Sequence, residues 1–461
     1  MKFASGNEVK QRFSTEEMVQ FDERDPCYTW LYPLALGDFD PHAILTPSRQ
    51  PRFASNLTLY VHIPFCKFVC KMCPFTHEAL GKKDLSRYVD ALCEEIRFYG
   101  RLPGAAEKPV TSLYFGGGTA SSLTPAQVDR ILTTIRSYFT FAPGCPITLE
   151  CHPRTVDGDY LAEVRGAGIN RVSFGIQSFN AENIKSIKLH QIPEQSIAIL
   201  ETALATGFDC VAMDLMYRYP DQTVADLQQE LDTALAIGVQ SISTYALDTE
   251  VREMTNARAR QKPVEIEREM YYYLHDRLHD EGFVHVAQPD YARPSLENRQ
   301  LRDLWGAPQA ENLSFGAGAF SENYHGSTWA NIHDSNLYTT TIEEGFLPIA
   351  VGQEHSWDDA VSRYPALGVR CLQFETAPFR EACGIALEDL FRAELDMLER
   401  KGWIVCADGK LTVTRTGKFF IDNISKTFFN LHNRGKSQIW GVQMEELRPH
   451  RLWRRDELLE G

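Results

Sequence analysis

The sequence has 461 residues with 47 basic and 62 acidic side chains, a formal net charge of −15. That length predicts two or three domains, and the acidic balance argues against nucleic acid as the main partner, because phosphate binding needs a basic surface. No apolar run approaches the roughly 20 residues that cross a bilayer, and the N-terminus lacks a signal-peptide pattern, so we expect a cytoplasmic protein with no membrane partner.

The first half of the chain has an alternating pattern. Residues 1–56 show no period and are expected to form an N-terminal arm. Six strand-like segments follow, at 57–65, 111–116, 146–151, 171–177, 208–217 and 241–247. Most of them are followed by a stretch of helical composition, as at 84–99, 125–138, 223–237 and 263–281. Such alternation predicts βαβ units with a parallel sheet, so we expect an α/β fold built on a partial (β/α)6 TIM-like barrel over residues 57–284.

The pattern changes in the second half. Extended segments at 283–292 and 312–320 are expected to fall in a barrel extension and linker that covers residues 285–360. Residues 361–461 are predicted to form a helical, winged-helix-like domain that covers the substrate. Its expected parts are a helix over 379–400, a hairpin that turns at Asp408-Gly409 and a helix over 416–429.

Active sites of barrels of parallel strands lie at the carboxyl ends of the strands. Several polar residues and glycines of this chain come at or just after the ends of predicted strands. We therefore expect a shared rim that holds Cys66, Gly116, Gly117, Gly118, Glu150, Gln177 and Asp214.

Three of the 11 cysteines are clustered just after the first predicted strand, in the spacing Cys66-x3-Cys70-x2-Cys73. Three thiolates on one short loop can hold a single metal centre, and an iron–sulfur cluster with three protein ligands keeps one iron open. The alternative is a structural zinc site with His77 as fourth ligand. That alternative explains neither the Gly116–Gly118 run nor the barrel, so the cluster is favoured.

The cysteine spacing resembles the signature of the radical S-adenosylmethionine (SAM) superfamily. The segment Tyr60-Val61-His62-Ile63-Pro64-Phe65-Cys66 is similar to the motif of the oxygen-independent coproporphyrinogen III oxidase (HemN)-like family. The likeness covers about residues 28–430, through the motifs at 28–33, 116–119, 150–153, 175–180, 214–215, 316–319 and 411–424.

The resemblance implies a [4Fe-4S] cluster on Cys66, Cys70 and Cys73 that cleaves SAM to a 5′-deoxyadenosyl radical. It also implies two SAM molecules, contacts to SAM from the glycine run, Glu150, Gln177 and Asp214, and a place for Tyr60 near the sulfonium. Phe68 and Met72 are expected to shield the cluster. Basic residues near the cluster are a candidate docking face for an acidic flavodoxin or ferredoxin, with a solvated loop as the alternative: Lys67, Lys71, Lys82 and Lys83.

The chain departs from the oxidase pattern around the expected substrate. Pro74 and Phe75 stand where the oxidase has a glycine and a further cysteine, the stretch 187–190 lacks the family's arginine, and Arg218-Tyr219-Pro220 replaces Gly-Leu-Pro. The leading hypothesis is therefore radical carbon transfer, meaning methylation or cyclopropanation of an aromatic or unsaturated small molecule, as in class C methylases. The alternatives are oxidative decarboxylation of coproporphyrinogen III and a non-enzymatic haem chaperone. The histidine of the chaperone's haem motif is missing beside Asn298, which counts against the chaperone.

Overall fold

The computed structural model describes residues 24, 29–34, 36–45, 56–105, 107–247, 264–433, 449 and 451–459. Its strands are, in chain order, β1 (Leu57–Ile63), β2 (Phe65–Cys66), β3 (Glu78–Ala79), β4 (Val110–Gly117), β5 (Ile147–Cys151), β6 (Arg171–Gln177), β7 (Cys210–Tyr217), β8 (Ser241–Ala246), β9 (Val284–Ala287), β10 (Asp290–Ala292), β11 (Glu311–Phe315), β12 (Phe320–Tyr324), β13 (Ser327–Asn331), β14 (Ile349–Glu354), β15 (Gln373–Glu375), β16 (Ile404–Ala407) and β17 (Lys410–Val413).

The α-helices begin after the first three strands. They are α1 (Leu85–Gly100), α2 (Pro125–Arg136), α3 (Gly158–Ala167), α4 (Ala181–Ser186), α5 (Pro193–Thr206), α6 (Val224–Ile237), α7 (Val264–Asp280), α8 (Arg299–Trp305), α9 (Ser335–Glu343), α10 (Trp357–Gly368), α11 (Ala377–Cys383), α12 (Leu387–Leu390), α13 (Arg392–Arg400), α14 (Arg415–Phe419), α15 (Ile421–Thr427) and α16 (Arg455–Leu459). Short 3-10 helices cover Pro41–Ile44, Ala120–Ser122 and Val369–Cys371. Among the described residues, no helix has the length and apolar character that crossing a bilayer needs.

One twelve-stranded sheet organises the molecule, in the order β14-β13-β12-β11-β1-β4-β5-β6-β7-β8-β10-β9. The seven strands from β11 to β8 are parallel, and the strands on either side of them are antiparallel. The α/β partial barrel is thereby confirmed, with β11 as one more parallel strand than predicted. The predicted boundary at 284–285 lies inside this sheet, and the division of the chain into four segments stays a prediction.

Side chains alternate along each strand between an apolar face in the core and a more polar face towards the interior of the barrel. In β1, Leu59, Val61 and Ile63 are fully buried in the main apolar core, whereas Tyr60 and His62 border the cavity described below. The covering helices begin at side-chain caps, such as the capping box in which the Thr124 hydroxyl accepts a bond from the Gln127 N–H. The alternation of side chains along each strand thus places one face against the helices and the other towards the interior.

Strand register determines which interior side chains are neighbours. Tyr60 pairs with Tyr114 across β1 and β4, and Glu150 pairs with Ser173 across β5 and β6. Asp214 pairs with Ser243 across β7 and β8. Parallel pairing therefore brings residues that are far apart in sequence to similar heights in the barrel.

The C-terminal part has its own apolar core and a three-stranded sheet in the order β15-β17-β16. The predicted hairpin is confirmed: Asp408 and Gly409 have φ values of 52° and 72°, as a type I′ turn requires. The helix predicted over 416–429 is two helices, α14 and α15, because Phe420 lies between them in a non-helical conformation with φ −104° and ψ 27°. The helix predicted over 379–400 is likewise divided, into α11, α12 and α13.

The described part of the predicted arm packs against the rest of the chain. Leu31 and Tyr32 are fully buried, and the Thr29 N–H donates to the Asp422 carboxylate over 2.7 Å. Gly37 forms an isolated bridge with Gly352 of β14. The other residues of the segment 1–56 lie outside the described residues.

Candidate active site

A cavity of about 860 Å³ lies inside the partial barrel and extends beyond its rim. Its volume is within the range of small-molecule and cofactor sites. Every predicted site residue except Gly116 lines it: Tyr60, Cys66, Cys70, Cys73, Gly117, Gly118, Glu150, Gln177 and Asp214. Asp214 lies inside β7, three residues before Tyr217 ends the strand, rather than at the strand end that the sequence predicted.

The loop that carries the three cysteines is closed at its base. β2 pairs in parallel with β3, and the Leu80 N–H donates to the Cys66 carbonyl over 2.9 Å. Within the loop, the Cys73 N–H donates to the Cys70 carbonyl over 3.2 Å and forms a turn. Cys66 is buried, and Cys70 and Cys73 are half-buried. The fold therefore holds all three thiols on one short loop beside the cavity.

The chemistry of this donor set fits an iron–sulfur cluster. Burial raises the pKa of the Cys66 thiol, and burial also raises the pKa of Cys70, to about 11. Such thiols become thiolates when a positive metal centre compensates their charge. Soft thiolates favour iron–sulfur centres, and three of them leave one iron of a four-iron cluster without a protein ligand. In the described part of the chain, no three His, Cys, Asp or Glu side chains are arranged for a single metal ion.

Gly118 and Gly116 leave space for different neighbouring atoms. A Cβ on Gly118 would lie 2.5 Å from the Pro64 carbonyl oxygen and 2.9 Å from the Cys66 sulfur. A Cβ on Gly116 would lie 2.8 Å from the Tyr60 hydroxyl and 2.9 Å from Glu150 Oε2. Gly118 thus gives the cysteine loop its close approach to β4. Gly116 makes space for two protein side chains, which explains why it does not line the cavity itself.

Buried carboxyl groups form the wall between β4 and β7. The Tyr114 hydroxyl donates to Glu150 Oε1 over 2.8 Å, and burial raises the pKa of Glu150 to about 7. Burial raises the pKa of Asp214 well above its usual value, and the nearby Glu150 adds to that effect. Tyr114 was not predicted, although its position two residues before Gly116 on an inward-facing strand could have indicated it.

Gln177 adopts an unusual backbone conformation at the end of β6. Its φ is 70°, a region that non-glycine residues rarely occupy, and the Tyr219 hydroxyl donates to its carbonyl over 3.1 Å. Such conformations persist where surrounding contacts enforce them, and they are common at functional sites. The contact with Tyr219 therefore fixes the end of the strand at the cavity.

The two apolar residues predicted to shield the cluster, Phe68 and Met72, both line the cavity. The Phe68 ring contacts His152 with ring centroids 5.1 Å apart, and the Arg154 guanidinium lies 4.5 Å from the Phe68 centroid. Met72 packs with Cys70 against a small buried cluster that includes Tyr219. The contacts of Phe68 and Met72 thus pack the cysteine loop against residues that follow β5, β6 and β7.

The end of the cavity near α7 contains three charged residues, of which the sequence marked only Arg218, as a departure from the oxidase pattern. Arg24 and Arg218 both line the cavity and both contact the buried carboxylate of Glu267. Aromatic and aliphatic side chains complete this end: Trp30, Tyr217, Leu304 and Trp305. No local motif connects residues 24, 218 and 267, so only the fold reveals their association.

The chain is similar in sequence to several known proteins. The family model of the radical SAM superfamily matches residues 60–234. An oxygen-independent coproporphyrinogen III oxidase of Synechocystis is 26% identical over 460 residues, which covers 93% of this chain and 97% of that protein. The heme chaperone HemW of Bacillus subtilis is 26% identical over 379 residues, which covers 80% of this chain and 98% of the chaperone.

A solved structure shares the fold. The structure of coproporphyrinogen III oxidase (HemN) from Escherichia coli aligns with a TM-score of 0.72 at 24% identity, over 84% of this chain and 92% of that one. The partial barrel and the C-terminal part therefore belong to one fold that is known from experiment.

Proposed function

We propose that this chain, whose residues 60–234 match the radical SAM family model, is a HemN-like enzyme. Its proposed reaction is the oxidative decarboxylation of a carboxylate-bearing tetrapyrrole such as coproporphyrinogen III. Radical SAM domains use a [4Fe-4S] cluster and SAM, and we assign the cluster to Cys66, Cys70 and Cys73. When bound, the cluster supplies the electron that cleaves SAM to methionine and a 5′-deoxyadenosyl radical.

The residues of this chain would hold and orient the SAM. Glu150, positioned by Tyr114, is the proposed acceptor for the SAM amino group, and Gln177 and Asp214 line the same cavity. Tyr60 stacks beside Tyr114 with ring centroids 6.0 Å apart, which fixes its ring at the cavity wall. We further propose a second SAM molecule in the cavity, as the HemN-like pattern implies.

The share of the chain that each relative covers supports the oxidase reaction over the chaperone. The match to the oxidase extends over 93% of this chain, whereas the match to the chaperone leaves a fifth of it unmatched. The chaperone motif also lacks its histidine here, because Glu297 precedes Asn298. The relatives named above are an oxidase and a chaperone, and neither is a methylase, so decarboxylation is proposed ahead of carbon transfer.

The electron donor is part of the same proposal. Lys67, Lys71 and Lys82 are exposed around the cysteine loop of a protein with net charge −15. Val69 and Phe75 on that loop are 40% and 51% exposed. Basic side chains around small apolar patches suit a transient contact with an acidic flavodoxin or ferredoxin. Lys83 differs from the other lysines, because its ammonium pairs with Glu78 over 2.6 Å.

The proposed reaction is tested with coproporphyrinogen III and the anaerobically reconstituted, reduced protein. Decarboxylation predicts a product that has lost CO₂ and two hydrogen atoms from each converted propionate, together with 5′-deoxyadenosine. S-Adenosylhomocysteine and a methylated or cyclopropanated product would instead return carbon transfer to first place. Unchanged coproporphyrinogen III with continued SAM cleavage would exclude this substrate.

A further inference from the structure

The side chain of Thr119 contacts the sulfur of the first clustered cysteine. Thr119 Oγ1 donates a hydrogen bond to Cys66 Sγ over 3.4 Å, and both residues line the cavity. Each of the two residues is 7% exposed, so water competes little for this bond. Among the described residues, the Thr119 hydroxyl has no other hydrogen-bond partner, because it does not cap the 3-10 helix that it precedes. The hydroxyl is therefore available to the sulfur alone.

The backbone on both sides of Thr119 is tied to the strand that leads into the cysteine loop. Before it, the Gly118 N–H donates to the Ile63 carbonyl over 2.9 Å. After it, the Ser122 N–H donates to the Thr119 carbonyl over 2.9 Å, and the Ser122 hydroxyl donates to the Phe65 carbonyl over 2.9 Å. The fold thus holds the Thr119 hydroxyl beside the sulfur before any metal binds, so that little conformational freedom is lost when the bond forms.

A hydroxyl in this position acts differently on the two redox states of a bound cluster. Hydrogen bonds to the ligand sulfurs are among the factors that set the reduction potential of an iron–sulfur cluster. A reduced cluster holds one more electron, so its sulfurs carry more negative charge and accept a stronger hydrogen bond. A bond to Cys66 Sγ therefore stabilises the reduced state more than the oxidised state.

We propose that Thr119 is a positioning residue for Cys66 and that its bond to the Cys66 sulfur raises the reduction potential of the cluster. This inference rests on the proposed function, since it assumes the cluster on the three clustered cysteines. It goes beyond that function by naming a side chain that sets how readily the cluster accepts an electron. A purely structural role of Thr119 would change how much cluster the protein binds, whereas the proposed role makes the potential depend on the hydroxyl.

The test compares Thr119→Val, which keeps the branched shape but loses the hydroxyl, with Thr119→Ser, which keeps the hydroxyl. Each full-length protein is reconstituted anaerobically with iron and sulfide and titrated without SAM. The electron paramagnetic resonance signal of the reduced cluster gives the midpoint potential. At the wild-type midpoint, we expect the ratio of reduced to oxidised cluster in Thr119→Val to be lower by about tenfold, which is about 59 mV for one electron. Thr119→Ser should keep the wild-type midpoint.

The matched control is Ser122→Ala. It removes a 2.9 Å hydrogen bond from the same 3-10 helix to the cysteine loop, but that bond ends on the Phe65 carbonyl and not on a sulfur. Its midpoint should equal that of the wild type. A wild-type midpoint in Thr119→Val would overturn the proposal. Equal falls in Thr119→Val and Ser122→Ala, or in Thr119→Val and Thr119→Ser, would also overturn it by showing an effect of packing.

Iron and sulfide per chain are measured before each titration. If Thr119→Val takes up no cluster, Thr119→Ala replaces it, because alanine also lacks the hydroxyl and adds no atom; the same fall is expected. A wild type that binds zinc and takes up no iron–sulfur cluster would refute the cluster assignment, and this proposal with it. A loaded wild type whose midpoint does not depend on the Thr119 hydroxyl would refute this proposal alone.

Discussion

Replacing Gly118 by alanine tests the packing that holds Cys66 at the cavity. The added Cβ would lie 2.5 Å from the Pro64 carbonyl oxygen, whereas ordinary contacts begin at 3.4 Å, so the loop must move by about 0.9 Å. Gly118 cannot retreat easily, because its N–H donates to the Ile63 carbonyl over 2.9 Å. Overpacking of this kind costs about 1–3 kcal/mol, which corresponds to a roughly 5- to 150-fold loss in cluster affinity if the loop absorbs the strain.

The assay measures iron and sulfide per chain after anaerobic reconstitution, with the 5′-deoxyadenosine yield as second readout. The control is Gly166→Ala in α3, where nothing lies within 4 Å of the added Cβ and the backbone is helical. That control should bind the cluster like wild type and gain up to about 1 kcal/mol of stability. Wild-type loading and SAM cleavage in Gly118→Ala would refute the view that this glycine positions the cysteine loop.

Three further predictions concern buried carboxyl groups. Tyr114→Phe removes the 2.8 Å hydrogen bond that lowers the pKa of Glu150. The affinity for SAM, measured by equilibrium dialysis, should therefore fall roughly 5- to 30-fold. An unchanged affinity would show that Glu150 does not belong to the SAM site. Because the pKa of Glu150 is about 7, wild-type SAM affinity should rise as pH increases through that value, and Glu150→Gln should abolish the rise. Burial raises the pKa of Glu95 from 4.5 to about 7, so the stability that protonated Glu95 contributes is complete below pH 4.5. About 3 kcal/mol of the free energy of unfolding is lost as pH rises to 7, because the unfolded chain ionises first. Denaturant titrations should therefore show a free energy of unfolding that depends less on pH in Glu95→Gln than in the wild type.

Features that follow from local patterns were predictable from the sequence. The six interior strands alternate or run as apolar segments between helices, and the Asp408-Gly409 turn requires positive φ at both positions. The loop with Cys66, Cys70 and Cys73 could be recognised because all of its donors are close in sequence. These features depend on periodicity and turn chemistry, which a single sequence displays.

Features that depend on long-range pairing were not predictable. β11 joins the parallel strands by pairing with β1, about 250 residues earlier in the chain, and nothing in its own five residues specifies that partner. Glu267 of α7 forms ion pairs with Arg218, which follows β7, and with Arg24, which belongs to the arm. The SAM contact of Gly116 stays a prediction from the family resemblance, whereas the space that Gly116 leaves for Tyr60 and Glu150 is visible only in the fold.

We propose that this chain cleaves SAM with a cluster held by its three clustered cysteines. The most direct measurement is 5′-deoxyadenosine formation by the anaerobically reconstituted protein after reduction, with Cys70→Ala as the matched variant. We expect 5′-deoxyadenosine and methionine from the wild type and neither from Cys70→Ala. Equal yields from both proteins, or a zinc-loaded wild type that cleaves no SAM, would contradict it.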